Sequence, residues 1–130
     1  MNELIAYLVA IKEFSKDIHY SCIGFEAYSW HLLADRVQEN INDYIDRAKE
    51  YLLGTDEKPL SSKEYLEEAL RHIPAVHNET IENFKELQEL LYKTLNIIEE
   101  MKFDKAGDNL ISEIADNLRN SNGIINLVIS

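Results

Sequence analysis

Two histidines and three carboxylates stand at regular spacing in the first half of this 130-residue sequence: His19, His31, Asp35, Asp46 and Glu50. Charged side chains of this kind are common on solvated surfaces, where they need no special partner. Imidazole and carboxylate groups are also the side chains that bind iron, manganese or zinc. Which role applies depends on the directions in which these side chains point, and therefore on the elements that carry them.

Apolar residues recur every three or four residues along nearly the whole chain, which is typical of amphipathic helices. This period predicts four long helices, over about residues 2–22, 26–53, 78–101 and from about 105. Ile81 and Val128 belong to the predicted core stripes of the third and fourth helices. Strand signals and internal repeats are absent.

A polar crossover separates the second and third predicted helices. Within it, Ser61 and Glu64 form a capping box for a short helix that Pro74 would end. One long connection among four helices is typical of a ferritin-like four-helix bundle. We therefore predict an all-α fold with a single ferritin-like domain over residues 1–130, in which the crossover between the second and third helices carries a short helix.

The composition limits the partners that the chain can have. Its 24 acidic and 13 basic residues give a formal net charge of −11, which argues against nucleic acid or an anionic membrane as a direct partner. The single cysteine, Cys22, allows no internal disulfide. No basic segment followed by an apolar run opens the chain, and no apolar stretch of about eighteen residues occurs. We expect a soluble, cytoplasmic protein without a signal peptide, while a particle- or virion-associated context stays open.

On an ideal second helix, four of the five residues would share one face. At about 100° per residue, His31, Asp35, Asp46 and Glu50 fall within roughly 100° of one another, opposite the apolar stripe. One interpretation is a solvated charged face. The other is metal binding, because the members of each pair, His31 with Asp35 and Asp46 with Glu50, are four residues apart and can hold one ion.

The two pairs cannot share an ion within one chain, since 11 residues correspond to roughly 16 Å of helix. If a second copy of the helix packs antiparallel about a two-fold axis, each His31 and Asp35 faces the Asp46 and Glu50 of the other copy. Such a contact creates two equivalent sites. His19, at the flank of the first helix, could add a second imidazole to each.

The complete pattern H-x11-H-x3-D-x10-D-x3-E resembles the ferroxidase signature of Dps mini-ferritins, a family within the ferritin-like superfamily. The crossover with its short helix and the segment DKAGDNLISEIADNL are also similar to that family. The resemblance implies an iron-binding ferroxidase and an iron storage and detoxification protein. Two irons would bind per site, between two-fold-related subunits of a homo-oligomer that is a dodecamer in this family. Fe(II) would be oxidised by hydrogen peroxide or oxygen, with manganese or zinc as substitute metals.

The same resemblance assigns further residues. Asp104 and Asp108 would line an iron-entry pore, although carboxylates at a helix N-terminus are also favoured by the helix dipole. Tyr20 stands where the family often has tryptophan, and Trp30 is the only tryptophan here; either could be a redox-active aromatic. The polar end of the last helix, NSNGIINLVIS with Gly123, departs from the family pattern.

A rival hypothesis keeps the fold but not the chemistry. In it, the chain is a structural or interaction protein with a vestigial or non-iron metal site. Rapid oxidation of bound Fe(II) by peroxide, with about two irons per site, would distinguish the enzyme from this alternative.

Overall fold

A computed structural model describes all 130 residues, which form six helices and no strand. The helices are α1 (Asn2–Ser21), α2 (Ala27–Gln38), α3 (Ile41–Leu53), α4 (Ser62–Leu70), α5 (Thr80–Glu100) and α6 (Lys105–Ile129). The predicted all-α class is confirmed. None of these helices combines the length and the apolar character that crossing a membrane requires.

The helices form a bundle of four rods, of which α2 and α3 together make one. The α1 rod packs against α2, α3 and α5, and α6 packs against α5, α2 and α3. The short helix α4 packs on α1. One continuous cluster of buried apolar side chains fills the space between the rods.

The predicted second helix is divided in two, which corrects the expectation of one helix over 26–53. Glu39 has an extended backbone, and Asn40 adopts a left-handed conformation with φ of 70°. Asparagine tolerates this region better than most residues. Val37 and Ile41, on either side of the break, are both fully or almost fully buried. The apolar period therefore continues through the break, and the ideal-helix angles cannot be carried from Asp35 to Asp46.

The short helix begins as predicted. Ser61 Oγ accepts a hydrogen bond from the Glu64 amide, and Glu64 Oε1 accepts one from the Ser61 amide, both at 3.2 Å. The helix ends at Leu70, however, rather than at Pro74. The Arg71, His72 and Ile73 amides turn back to carbonyls of its last turn, so the chain has left the helix before the proline.

Ile81 and Val128 are exposed, which corrects their assignment to the core. Ile81 is the second residue of α5, and Val128 is the second-last residue of α6. At both helix ends the neighbouring residue is the covered one, since Thr80 is buried and Ile129 is half-buried against the core. The remaining members of both predicted stripes are buried.

A close contact joins the end of α3 to the start of α6. Tyr51 Oη donates a hydrogen bond to Asp104 Oδ1 at 2.9 Å, and the Gly107 amide donates to the same oxygen at 2.9 Å. A Cβ at Gly107 would lie 2.7 Å from Tyr51 Oη and 2.5 Å from Phe103 Cβ. The absence of a side chain at Gly107 lets the tyrosine reach the helix cap.

We predict that Gly107→Ala lowers the free energy of unfolding by about 1–3 kcal/mol, the usual effect of overpacking. Gly123→Ala is the matched control, because a Cβ there meets nothing within 4 Å and the residue lies inside α6. That change should raise stability by about 0.5–1 kcal/mol through the helix propensity of alanine. Urea unfolding followed by circular dichroism measures both, and equal effects of the same sign would contradict the packing argument.

Candidate metal centre

The turn between α1 and α2 brings the two histidines together. Helix α1 ends at Ser21. The backbone amide and the Sγ of the next residue, Cys22, both donate hydrogen bonds to the Ile18 carbonyl oxygen. Gly24 follows with φ of 96°, a conformation that glycine adopts without strain. Burial raises the pKa of the Cys22 thiol, which disfavours the reactive thiolate form.

The two imidazole rings lie against each other, with centroids 3.5 Å apart. His31 Nδ1 is 3.0 Å from the His19 carbonyl oxygen. Because a carbonyl only accepts, His31 Nδ1 carries the proton and donates it there. The Nε2 lone pair of His31 is then available to a metal ion, which is how a backbone contact commonly fixes the tautomer of a ligand histidine.

Asp35 completes a cluster of three donors with these histidines. Its Oδ1 lies 2.8 Å from His19 Nδ1. The two atoms are close, but their directions do not make a hydrogen bond, so His19 Nδ1 is buried without a hydrogen-bond partner. Buried polar atoms without a partner are uncommon, and a bound cation would satisfy this one.

The spacing of the cluster is close to that of a metal site. One donor atom from each of His19, His31 and Asp35 lies within 4.8 Å of the others. Donors at 2.0–2.2 Å from an ion are at most about 4.4 Å apart, so small side-chain movements would bring all three into range. Both histidines are half-buried and Asp35 is exposed, which leaves one side of the cluster open to solvent.

Asp46 and Glu50 lie apart from this cluster. Both are exposed on α3, beyond the break at Asn40. Asp46 lines a groove of about 430 Å³ between α1, α3 and α4, together with Lys49 and Leu66. The five predicted ligands therefore divide into a group of three and a pair. The two-fold contact that would join the two groups remains a prediction.

The two carboxylates of the predicted pore act as helix caps. Asp104 accepts from the Gly107 amide and from Tyr51 Oη, and Asp108 Oδ1 accepts from the Phe103 amide at 2.9 Å. Both are exposed. Within one chain, the role of both carboxylates is to cap the start of α6. Their role in a pore between subunits remains a prediction.

The two candidate redox aromatics differ in their surroundings. Tyr20 is exposed and places its edge on the His19 ring, with centroids 4.8 Å apart. Trp30 is half-buried, packs against Phe84 at 5.6 Å and donates its indole N–H to Glu26. Tyr20 is therefore the aromatic side chain in contact with the cluster.

The sequence interpretation missed two contacts that shape these sites. The His19 carbonyl, which fixes the tautomer of His31, has no sequence signature. The spacing of Tyr51 in the second predicted helix places it on the apolar stripe, yet its hydroxyl donates a hydrogen bond to Asp104, 53 residues further along. Local patterns carry no signal for a side-chain bond of that sequence separation.

No protein-family model and no curated protein sequence matches this chain. Two imidazoles beside a carboxylate, open on one side, can hold a divalent transition metal and leave coordination positions for further ligands.

The cap at Asp104 predicts a pH dependence of stability. A hydrogen bond from the Gly107 amide lowers the pKa of Asp104 below its ordinary value of 3.8, and a hydrogen bond from the Tyr51 hydroxyl lowers it further by a smaller amount. A carboxyl group whose pKa is lower in the folded state contributes stability above its unfolded pKa and loses it as the pH falls through the folded pKa. Wild-type protein should therefore lose stability below about pH 4, and Asp104→Asn should lose less over that range.

Urea unfolding at several values from about pH 5 to about pH 2 measures this effect. Asp56→Asn is the control, because Asp56 is exposed and makes no side-chain hydrogen bond or ion pair. Equal acid dependence of stability in Asp104→Asn and wild type would show that the cap contributes nothing measurable.

Proposed function

We propose that this chain is a Dps-like mini-ferritin: a ferritin-like bundle that binds Fe(II) as substrate, oxidises it and stores the ferric product. The observation that carries the proposal is the convergence of His19, His31 and Asp35 within 4.8 Å at an open edge of the bundle. An ion pair between His19 and Asp35 accounts for one of these contacts, and the second imidazole, His31, tilted against His19, adds the third donor that supports a metal site.

The donor types favour iron, manganese or zinc over calcium and magnesium. Calcium and magnesium are hard cations that prefer oxygen ligands, whereas two imidazole nitrogens suit transition metals. Zinc has no redox chemistry, so it would occupy the site without being oxidised. Iron is the proposed substrate because Fe(II) can be oxidised to Fe(III) at the site.

A second copy of the chain would supply what the cluster lacks. Three donors leave an iron ion with open positions, and two ions need more ligands than one chain brings together. Asp46 and Glu50 are exposed on α3, with Asp46 at the groove between α1, α3 and α4. In the proposed two-fold contact, these carboxylates face the cluster of the partner, and each site holds two imidazoles and three carboxylates.

The reaction balances with two Fe(II) ions per site. Each ion gives one electron to hydrogen peroxide, the O–O bond breaks, and two protons complete two water molecules, leaving two Fe(III). Because both electrons arrive together, no hydroxyl radical is released. The carboxylates favour the more highly charged ferric product, and hydrolysis of Fe(III) then yields mineral that a closed shell of subunits, a dodecamer in this proposal, can retain.

The ligand assignments predict that Asp46→Ala and Glu50→Ala each slow rapid Fe(II) oxidation at least about 100-fold, since even outer-shell partners of a metal affect it 10–100-fold. The fold should persist, because both side chains are exposed. Asp43→Ala is the matched control, an exposed carboxylate on the same helix. The assay loads Fe(II) without oxygen, adds peroxide and follows ferric absorbance.

Circular dichroism and light scattering check the fold and assembly of each variant. Unfolding of either ligand variant would contradict the assignment of these residues to an outer face. Tight stoichiometric iron binding by a demonstrated monomer would contradict the shared site. Absence of rapid oxidation in the wild type would favour the structural protein with a vestigial site.

DNA should not be a direct partner. At −11 per chain, an assembly carries a large negative charge, and repulsion from phosphate exceeds what its scattered lysines and arginines offset. A gel-shift experiment at about 0.15 M salt, near physiological ionic strength, should leave DNA free. Retardation without added divalent metal would contradict this prediction, and adding magnesium tests separately for contacts bridged by metal.

A further inference from the structure

A groove lies where the α1–α2 turn meets the start of α5. Its volume is about 490 Å³, which falls within the range of roughly 300–1,000 Å³ that is usual for small-molecule sites. Its lining includes two aromatic, two aliphatic and two acidic side chains, namely Phe25, Trp30, Ile23, Ile81, Glu26 and Glu79. None of the candidate metal ligands lines this groove, so it is separate from the site of the proposed function.

The two aromatic side chains of the groove are held in different ways. Phe25 follows Gly24, whose φ of 96° turns the chain, and its side chain is 105% exposed. Trp30 is half-buried; it packs on Phe84 with ring centroids 5.6 Å apart and donates its indole N–H to Glu26 Oε2 at 3.0 Å. Exposure of so much aromatic surface is unfavourable in water, and a ligand that covers it would remove this cost.

The carboxylates of the groove carry a negative charge that no basic side chain neutralises. Glu26 and Glu79 form no ion pair, and no lysine, arginine or histidine lines the groove. Both stand at the N-cap positions of their helices, α2 and α5, but neither side chain accepts a capping hydrogen bond. A helix N-terminus carries roughly half a positive charge, so the two dipoles offset only about half of the carboxylate charge.

This combination of side chains selects one class of ligand. Anions would be repelled by the carboxylates, and a small metal ion needs several polar ligands in place of its water, whereas half of this lining is apolar. A neutral apolar molecule would cover the aromatic rings but leave both carboxylates without a partner. An organic cation with alkyl groups around its charge satisfies both parts of the lining, because aromatic faces attract such a cation and apolar side chains pack on its alkyl groups.

We propose that this groove binds a small organic cation of the quaternary or alkyl ammonium class. Phe25 and Trp30 contact the alkyl groups around the nitrogen, Ile23 and Ile81 cover the attached chain, and the carboxylates balance the charge. The net charge of −11 on the whole chain favours the approach of a cation and disfavours that of an anion. This binding requires neither iron nor a second copy of the chain.

The test uses the fluorescence of Trp30, which is the only tryptophan and lines the groove. Metal-free protein is titrated with choline and, separately, with dimethylbutanol, its uncharged isostere with carbon in place of nitrogen. Sodium chloride holds the ionic strength constant, so that general screening does not change during the titration. We expect a saturable change with choline and at least about tenfold weaker binding of dimethylbutanol, since only choline gains the cation–π and carboxylate attraction.

Variants separate the contributions of charge and of the aromatic ring. Glu26→Gln and Glu79→Gln keep the shape and an accepting oxygen but remove the charge, so each should weaken choline binding roughly two- to fivefold. Phe25→Leu keeps an apolar side chain without an aromatic face, and should weaken choline binding more than dimethylbutanol binding. Glu89→Gln and Tyr28→Leu are the matched controls, an exposed carboxylate on α5 and an exposed aromatic on α2, both outside the groove; neither should change the affinity.

Circular dichroism confirms that each variant is folded. A wild-type protein whose fluorescence shows no saturable response to choline would overturn the inference, and so would equal affinities for choline and dimethylbutanol. Equal affinities of wild type, Glu79→Gln and Phe25→Leu for choline would place the binding elsewhere on the chain. A response to a peptide that carries trimethyl-lysine, without any response to choline, would replace the free cation with a side chain of a protein partner. Fe(II) oxidation takes no part in these titrations, so its failure in a separate assay would leave this result unchanged.

Discussion

Burial of α1 is the constraint on which the rest of the structure depends. This helix packs against α2, α3, α4 and α5, and Leu4, Leu8, Ile11 and Phe14 along it are completely buried. Full burial of such side chains contributes about 1.5–3 kcal/mol each, so the rotation of α1 about its axis is strongly fixed. Ile18 belongs to the same buried stripe, and His19 follows it at the edge of that stripe. The core therefore sets the direction of the first candidate ligand.

Core residues also fix the directions of the other candidate ligands. Leu33 and Val37 point into the core from α2, which leaves His31 half-buried at the edge and Asp35 outside. Ala48 is completely buried on α3 and leaves Glu50 outside. Each of these helices carries core residues on one side and candidate ligands on another. The helices themselves therefore position the ligands, and no separate loop is required. Packing of the core behind them fixes their positions, which suits the proposed site, whose parts would meet across two subunits.

Much of the fold could be predicted from the sequence because it depends on residues that are close together in the chain. The long helices, the capping box at Ser61 and the outward direction of Asp46 and Glu50 follow from residue spacing alone. The break at Asn40 does not, because Val37 and Ile41 continue the apolar period through it and only two residues, Glu39 and Asn40, leave the helical region. The exposure of Ile81 also escaped prediction, since the apolar period does not distinguish which of two adjacent residues in the first turn, Thr80 or Ile81, faces the core.

Electrostatics explains why assembly and metal binding belong together in the proposed protein. Each chain carries a net charge of −11, and the proposed two-fold contact would place three carboxylates around one site, which is unfavourable without cations. Bound metal ions would remove that repulsion. A metal ion that binds the assembled form and not the monomer also stabilises the assembled form.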